Sequence, residues 1–400
     1  MEPAHKRRPL WSTLKCLKWH ARTWFQGRQV ASCYGSIGRI YWVPASRIAA
    51  VSTLSGPPLA KRGTVSDGDW DTHAIPWDHF EPWIAFCHRY RNGGEWHDTA
   101  WYKSLLRKIH AGKLMYRCRD AADLDRHFAA TEELCHTITR DGFRLQTELR
   151  PTGDFCEDEV TVHISRHGHY LLGDGRHRLC IARLLNLERV PVKVARRHSQ
   201  WVNFRWQVVR CAERGLTIQP LSHPDLADIP TASAHQTLDL IKQHIPPRGS
   251  VIDFTAGWGY FCGQLEEAGF NCIAVEPLAD NQYFLKRLHL AEQRSFKIID
   301  NPYFVPDQPM ACDAVLALNA ASYFRWTEHG YPALLDLLRR VQTRLVFVQP
   351  HYPGDGRVTV QYVGYDPERF IDAVAEACST PNRRAIGEDP PGNPIYMLWR

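Results

Sequence analysis

No apolar run in the chain's 400 residues approaches the ~20 that a membrane-spanning helix needs. Basic and polar residues interrupt the apolar positions near the N-terminus, so a signal-peptide core is not expected either. Low-complexity tracts are lacking. The twelve cysteines include no C-x-x-C and no paired Cys/His spacing, which argues against a zinc site and against a disulfide framework. No metal is expected, and Cys180, Cys262 and Cys312 fall on predicted core faces, where a free thiol serves as a small hydrophobe. The chain reads as a cytoplasmic protein of two or three domains.

A basic surface is missing where a nucleic-acid enzyme would need one. From Ile245 onward there are fourteen Lys/Arg and eighteen acids, a balance of −4. Proteins that hold phosphate backbones present cations to them, so nucleic acid is not an expected partner. The whole net charge of +6 is matched by the first thirty residues, with seven Lys/Arg and one acid. There Leu10, Leu14, Leu17, Ala21 and Trp24 recur at helical spacing, while Lys15, Lys18 and Arg22 lie off that stripe. Such a helix packs its stripe on the protein body, lies on an anionic membrane surface through residues 6–28, or contacts another polyanion. These readings stay open.

Four regions follow from composition and pattern: a basic amphipathic segment (1–30), an α+β domain with a Trp-rich extension (31–215), a Pro-rich connector (216–247) and an α/β domain (248–400). Within the second, residues 40–116 read as irregular, broken by Pro44, Pro57, Pro58 and the 68–71 turn. Helices are predicted over 101–110 and 121–139. Residues 160–164 alternate as a strand, paired through a turn at His167-Gly168 with 169–172. Gly173-Asp174-Gly175-Arg176-His177-Arg178 then opens a helix, and 190–194 is the next strand, followed by Arg196, Arg197 and His198. Cationic side chains at a helix N-terminus after a glycine turn suit an anion. Hairpin, Gly-Asp-Gly-Arg-His-Arg-Leu, helix and Val-Pro-Val strand together resemble the ParB/sulfiredoxin fold. That resemblance implies that Asp174, Gly175, Arg176, His177 and Arg178 hold the phosphates of a nucleotide such as ATP or CTP. Arg176 stands where sulfiredoxin has its reactive cysteine, so sulfinic-acid reduction is not implied. Kinase activity, known in this fold, would need a base, for which Glu157, Asp158 and Glu159 are the nearby acids.

Residues 250–277 organise the last region. Val251-Ile252-Asp253-Phe254 is a buried-strand run. Thr255-Ala256-Gly257-Trp258-Gly259 turns the chain, and a helix opens at Tyr260. A second strand delivers Glu276, which follows Gly259 by 17 residues. In open parallel sheets a glycine turn after one strand and an acid after the next face the same crevice, one for close backbone contact and one for a ribose. G-x-G-x-x-G is not present, which disfavours a pyrophosphate. The stretch resembles motif I of the class I S-adenosylmethionine (SAM) methyltransferases, with Asp253, Gly257 and Gly259 in matching places and Thr255 where the family has its first glycine. Later strands at 296–299, 313–318 and 345–348, a helix around 370–377 and a strand at 395–399 extend the likeness. It implies a seven-stranded Rossmann-like sheet and a SAM site made by Asp253, Thr255, Gly257, Gly259, Tyr260, Glu276 and Asp300. Asn319, Tyr323 and His351 would face the methyl acceptor, with His351 as general base. A small-molecule or glycan-type acceptor is expected. The alternatives are a nucleotide-dependent phosphotransferase with an inactive SAM-fold partner, and a non-catalytic ligand sensor.

Overall fold

The computed structural model describes residues 39–54, 64–149, 159–216, 218–299, 310–318, 330–350, 366–389 and 392–400. The basic segment 1–30 lies outside them. The chain divides into two compact units, Met1–Arg210 with Pro224–Ile229, and Cys211–His223 with Pro230–Arg400. Among the described residues no helix is long and apolar enough to cross a membrane.

The N-terminal unit is built on a mixed sheet. Its strands are β1 (Ile40–Val43), β2 (Ile48–Val51), β3 (Thr64–Ser66), β4 (Ile75–Pro76), β5 (Val160–Ile164), β6 (Tyr170–Asp174) and β7 (Val190–His198). They lie in the order β1-β7-β5-β6-β2-β4, with β3 paired to β7. The stretch expected to be irregular therefore supplies four strands of the sheet itself. These strands are only two to four residues long, too short for a period of two to emerge from sequence. β7 also runs past Val194, where sequence alone would stop it. Arg196 and Arg197 pair with His163 and Ile164 of β5, and the charge of Arg197 is neutralised by Asp225 rather than by solvent.

Three helices bring the tryptophans together: α1 (Glu81–Arg91), α2 (Ala100–His110, capped by the Thr99 hydroxyl accepting from Tyr102 N) and α3 (Ala121–Asp141, capped by Asp120). Trp96 packs 4.8 Å from Phe128 and 5.2 Å from Phe86, and Trp101 lies 5.1 Å from Phe128. Burying each such ring contributes about 2–3 kcal/mol. α4 (Arg176–Leu184) follows β6, and α5 (Ser199–Glu213) follows β7.

The C-terminal unit begins with α6 (His235–Lys242) and continues as β8 (Ser250–Asp253), α7 (Tyr260–Glu267), β9 (Asn271–Val275), α8 (Ala279–Ala291) and β10 (Lys297–Ile299). A short pair, β11 (Met310–Ala311) with β13 (Val341–Gln342), flanks β12 (Ala314–Leu318) and α9 (Gly330–Arg339). The chain closes with β14 (Leu345–Gln349), α10 (Pro367–Cys378), β15 (Asn382–Glu388) and β16 (Pro394–Trp399). Seven strands form one sheet in the order β10-β9-β8-β12-β14-β16-β15. The first five are parallel, and β16 pairs antiparallel with both β14 and β15.

Strand alternation divides the core into two layers. Val251, Ala314, Leu316 and Leu318 face one way, with Phe261 and Leu265 of α7 and Leu238 and Ile241 of α6. Ile252, Val315 and Ala317 face the other, with Leu334 and Leu338 of α9 and Phe370 and Val374 of α10. Cys262 and Cys312 are buried in these layers, as is Cys180 in α4. Order reverses between β8 and β12, so the crevice beyond their carboxyl ends is the switch point where open α/β sheets bind ligands.

Candidate functional site

The crevice is built from the end of β8, the turn into α7 and the end of β9. Asp253, the last residue of β8, is buried, and its Oδ1 accepts from Thr255 N at 3.0 Å, while Oδ2 has no hydrogen-bond partner. Loss of water pushes this carboxyl up to about 7. Thr255, standing where the methyltransferase pattern has a glycine, has no positive φ to require one. Its hydroxyl donates to the Leu318 carbonyl, tying the end of β8 to the end of β12. Gly257 (φ +59°) and Gly259 (φ +91°) do adopt the left-handed region.

Glu276 reaches back across the crevice to this turn. Its Oε2 accepts from Gly257 N at 2.7 Å and its Oε1 from Leu278 N at 2.8 Å. It is fully buried, and burial pushes its carboxyl up to about 8; the two backbone donors oppose that rise, and the Asp253 charge adds to it. Trp258 stacks on Phe284 at 4.2 Å and donates through Nε1 to Asn281 Oδ1. The Tyr260 hydroxyl lies 2.8 Å from His235 Nδ1 on α6, so only the backbone of Tyr260 faces the turn.

Gln219, in the stretch read from sequence as connector, also belongs here. Its Oε1 accepts from Trp258 N at 2.8 Å and from Tyr260 N at 3.3 Å. Nothing in the sequence marks it, because a Gln between Ile218 and Pro220 carries no motif. Asp300, Asn319, Tyr323 and His351 lie outside the described residues.

The second predicted constellation divides by environment. Gly175 caps α4 in the left-handed region, and its N–H is bonded to Asp174 Oδ1. Arg176 lies over the Tyr116 ring. Arg178 instead turns inward, where Nη1 donates to the buried Glu159 Oε2 at 2.9 Å. The other oxygen of Glu159 accepts from Gln146 N. An acid expected near a reacting hydroxyl is thus spent on an arginine expected to hold phosphate. Glu157 and Asp158 lie outside the described residues. His177 is sunk among Phe86, Trp101, Tyr116 and His127, and burial holds it neutral, down at about 3. Arg197, expected just beyond a strand, is inside one: Nη2 lies 2.6 Å from Asp225 Oδ1, and Trp201 Nε1 donates to Oδ2. No group of three or more His, Cys, Asp or Glu among the described residues is placed to hold a metal ion.

Five parallel strands in the order 3-2-1-4-5, closed by an antiparallel hairpin edge, with an acid after the second strand bonded to the glycine turn after the first, decide the architecture. This is the class I methyltransferase fold. No protein-family profile matches the chain, and none of the curated proteins does. Among solved structures it is similar to the bifunctional kinase-methyltransferase WbdD, at 18% identity and a TM-score of 0.36 over 48% of this chain and 46% of that one. TehB from Haemophilus influenzae aligns at 14% identity and a TM-score of 0.31, over 44% of this chain and 64% of that one. A TehB-like SAM-dependent methyltransferase from Corynebacterium glutamicum gives 14% and 0.31, over 50% of this chain and 96% of that one. The chain thus spans about half the length of WbdD. Likenesses of this size decide nothing about activity; the methyltransferase fold stands on strand order.

Proposed function

We propose that the C-terminal unit is a SAM-dependent methyltransferase acting on a small-molecule or glycan-type acceptor. The observation that carries this reading is Glu276, at the end of the second strand and hydrogen-bonded to Gly257 N across the switch point. Two further features fit such a donor. The N–H groups of Trp258 and Tyr260 already serve an oxygen acceptor, and Asp253 keeps a buried oxygen without a partner. SAM, when bound, supplies an electrophilic methyl group on a sulfonium sulfur. The chain's own work is then to hold the donor and orient the acceptor in line with it. Glu276 accepts from ribose hydroxyls through its remaining lone pairs, and the Gly257–Tyr260 turn contributes backbone N–H groups. Asp300 is proposed beside adenine. Asn319, Tyr323 and His351 are proposed on the acceptor side, with His351 removing the proton of a hydroxyl or amine. The acidic balance of this unit favours an acceptor other than nucleic acid.

For the N-terminal unit we propose, on the ParB-like pattern, a nucleotide or phosphorylated ligand held by the Gly175 turn, the first N–H groups of α4 and Arg176. Arg178 and His177 act there from beneath, fixing the turn through Glu159 and the aromatic cluster.

Calorimetric titration of the full chain with SAM tests the donor site. One site is expected, weakened about ten- to hundredfold in Glu276→Ala, which loses the carboxyl oxygens that accept from the ribose hydroxyls. Equal affinity in both proteins would overturn the reading. So would an absence of binding both in the wild type and in a chain with Gln219, which sits in the turn, cut back to alanine.

A further inference from the structure

The glycine turn is occupied by a side chain of the same protein. Gly257 and Gly259 free the backbone to pass close to a ligand, and the N–H groups of Trp258 and Tyr260 point where α7 opens. Gln219 takes both with a single oxygen. A Cβ built on Gly257 would lie 3.0 Å from the Gln219 Cδ and Nε2 and 3.1 Å from Oε1. The carboxamide thus fills the space that the missing side chain leaves.

The segment carrying Gln219 is anchored on both sides of it. The Ile218 carbonyl accepts from Ala232 N at 2.8 Å, and the Ile218 side chain is buried. Pro220 follows directly, which disfavours the helical region for Gln219. Ser222 Oγ then accepts from Gln264 Nε2 of α7 at 3.3 Å. With its backbone pinned, Gln219 projects a side chain whose freedom is confined to its rotamers.

We infer that Gln219 is a built-in competitor for the donor site, using its carboxamide oxygen to hold the two N–H groups that a nucleoside donor needs and leaving by side-chain rotation when the donor binds. The inference rests on the donor reading above. It accounts for two facts that reading does not use: the anchoring of the chain on both sides of Gln219 and the contact of Gly257 with a polar group instead of an apolar one. Release of Gln219 breaks two backbone hydrogen bonds, so the wild type binds more weakly than the same turn without the side chain would.

The test compares S-adenosylhomocysteine binding to the full-length wild type, Gln219→Ala and Gln219→Met by calorimetry, with amide hydrogen exchange of residues 255–261 in the ligand-free proteins. Methionine keeps the bulk and the unbranched chain but offers no comparable acceptor. Expected are about tenfold tighter binding in Gln219→Ala, an intermediate gain in Gln219→Met, and faster exchange of the Trp258 and Tyr260 amides in both variants. Equal or weaker binding by Gln219→Ala, with S-adenosylhomocysteine still bound by the wild type, overturns the competitor while the donor reading stands. Unchanged exchange in the variants also overturns it, since the contact would then be unimportant in solution. Binding by none of the three proteins overturns both readings.

Discussion

Replacing Asp253 with asparagine is expected to remove a defined part of the pH dependence of the C-terminal unit's stability. The carboxyl is fully buried, has one oxygen without a partner, and titrates near 7 instead of near its ordinary 3.8. A carboxyl raised in the folded chain contributes stability that is complete below about 3.8 and is lost as pH rises to about 7, because the unfolded chain gives up its proton first. Between pH 5.5 and pH 8 that loss is about 2 kcal/mol for this one group. Glu276, raised from 4.5 to about 8, adds a loss of the same sign and about 3 kcal/mol over the same range. Asp253→Asn abolishes the first loss. It also removes a charge that raises Glu276, which diminishes the second. The new amide carries a cost of its own, from an orphaned N–H₂ where Oδ2 stood, but that cost does not vary with pH. Amide exchange of β8 and β12 in the full chain, corrected for intrinsic rates and measured at pH 5.5 and pH 8, reads the local free energy on these strands. Wild type should lose protection more steeply with rising pH than the variant, by about 2 kcal/mol. Parallel pH profiles in the two proteins would show that Asp253 is ionised in the folded chain and that the crevice floor is wetter than its geometry implies.

Two substitutions test the N-terminal unit. Arg178→Ala leaves Glu159 buried without this cation and should cost about 3–5 kcal/mol, visible as a lowered urea midpoint; a loss below about 1 kcal/mol would mean that the buried ion pair does not hold the turn. Gly175→Ala should cost about 2–3 kcal/mol by the same assay, since φ is +83° and the added Cβ would meet the Val160 Cα at 2.8 Å. Gly142→Ala, in the same unit at φ +78° with open space around it, is the control and should cost only about 1 kcal/mol.

What could be read from sequence was what periodicity and motif encode. The β8-turn-α7-β9 unit is legible because apolar runs, two glycines and a trailing acid must follow one another in the chain to make it. β12, β14 and β16 are legible for the same reason, each being an apolar run between polar turns, whereas the edge strand β15 is largely exposed and carries no such run. Glu276 stands at the end of the second strand of that unit, and its bond to Gly257 N follows from the strand order. The short strands β1 to β4 were not legible, because two to four residues carry no period, and β1, β2 and β3 each have a partner more than a hundred positions away in the chain. Nor was the end of β7, where arginines look like the start of a loop until Asp225 supplies the charge that lets Arg197 stay inside. Arg178 shows the same limit from the other side. A cation at a helix start reads as an anion site, but whether the anion is a ligand or Glu159 is decided by tertiary contact.

Gln219 carries that argument furthest. Gly257, Gly259 and Glu276 are there because the backbone needs their shape or their acid, and these needs leave a trace in spacing. A side chain that competes for the same N–H groups has no such constraint. It needs reach, one acceptor oxygen and a backbone held nearby, and any amide or carboxylate in the adjoining segment would qualify. The proline after Gln219 and the burial of Ile218 hold that backbone, yet each reads in sequence as ordinary connector. A glycine turn that binds a ligand and one that is satisfied by its own chain are therefore identical in sequence, and they differ only in what accepts from the Trp258 and Tyr260 N–H groups. In this fold the acceptor in the ligand-free chain is Gln219 Oε1. On the competitor proposal, donor affinity is the difference between two sets of hydrogen bonds, and a residue outside the motif controls one of them.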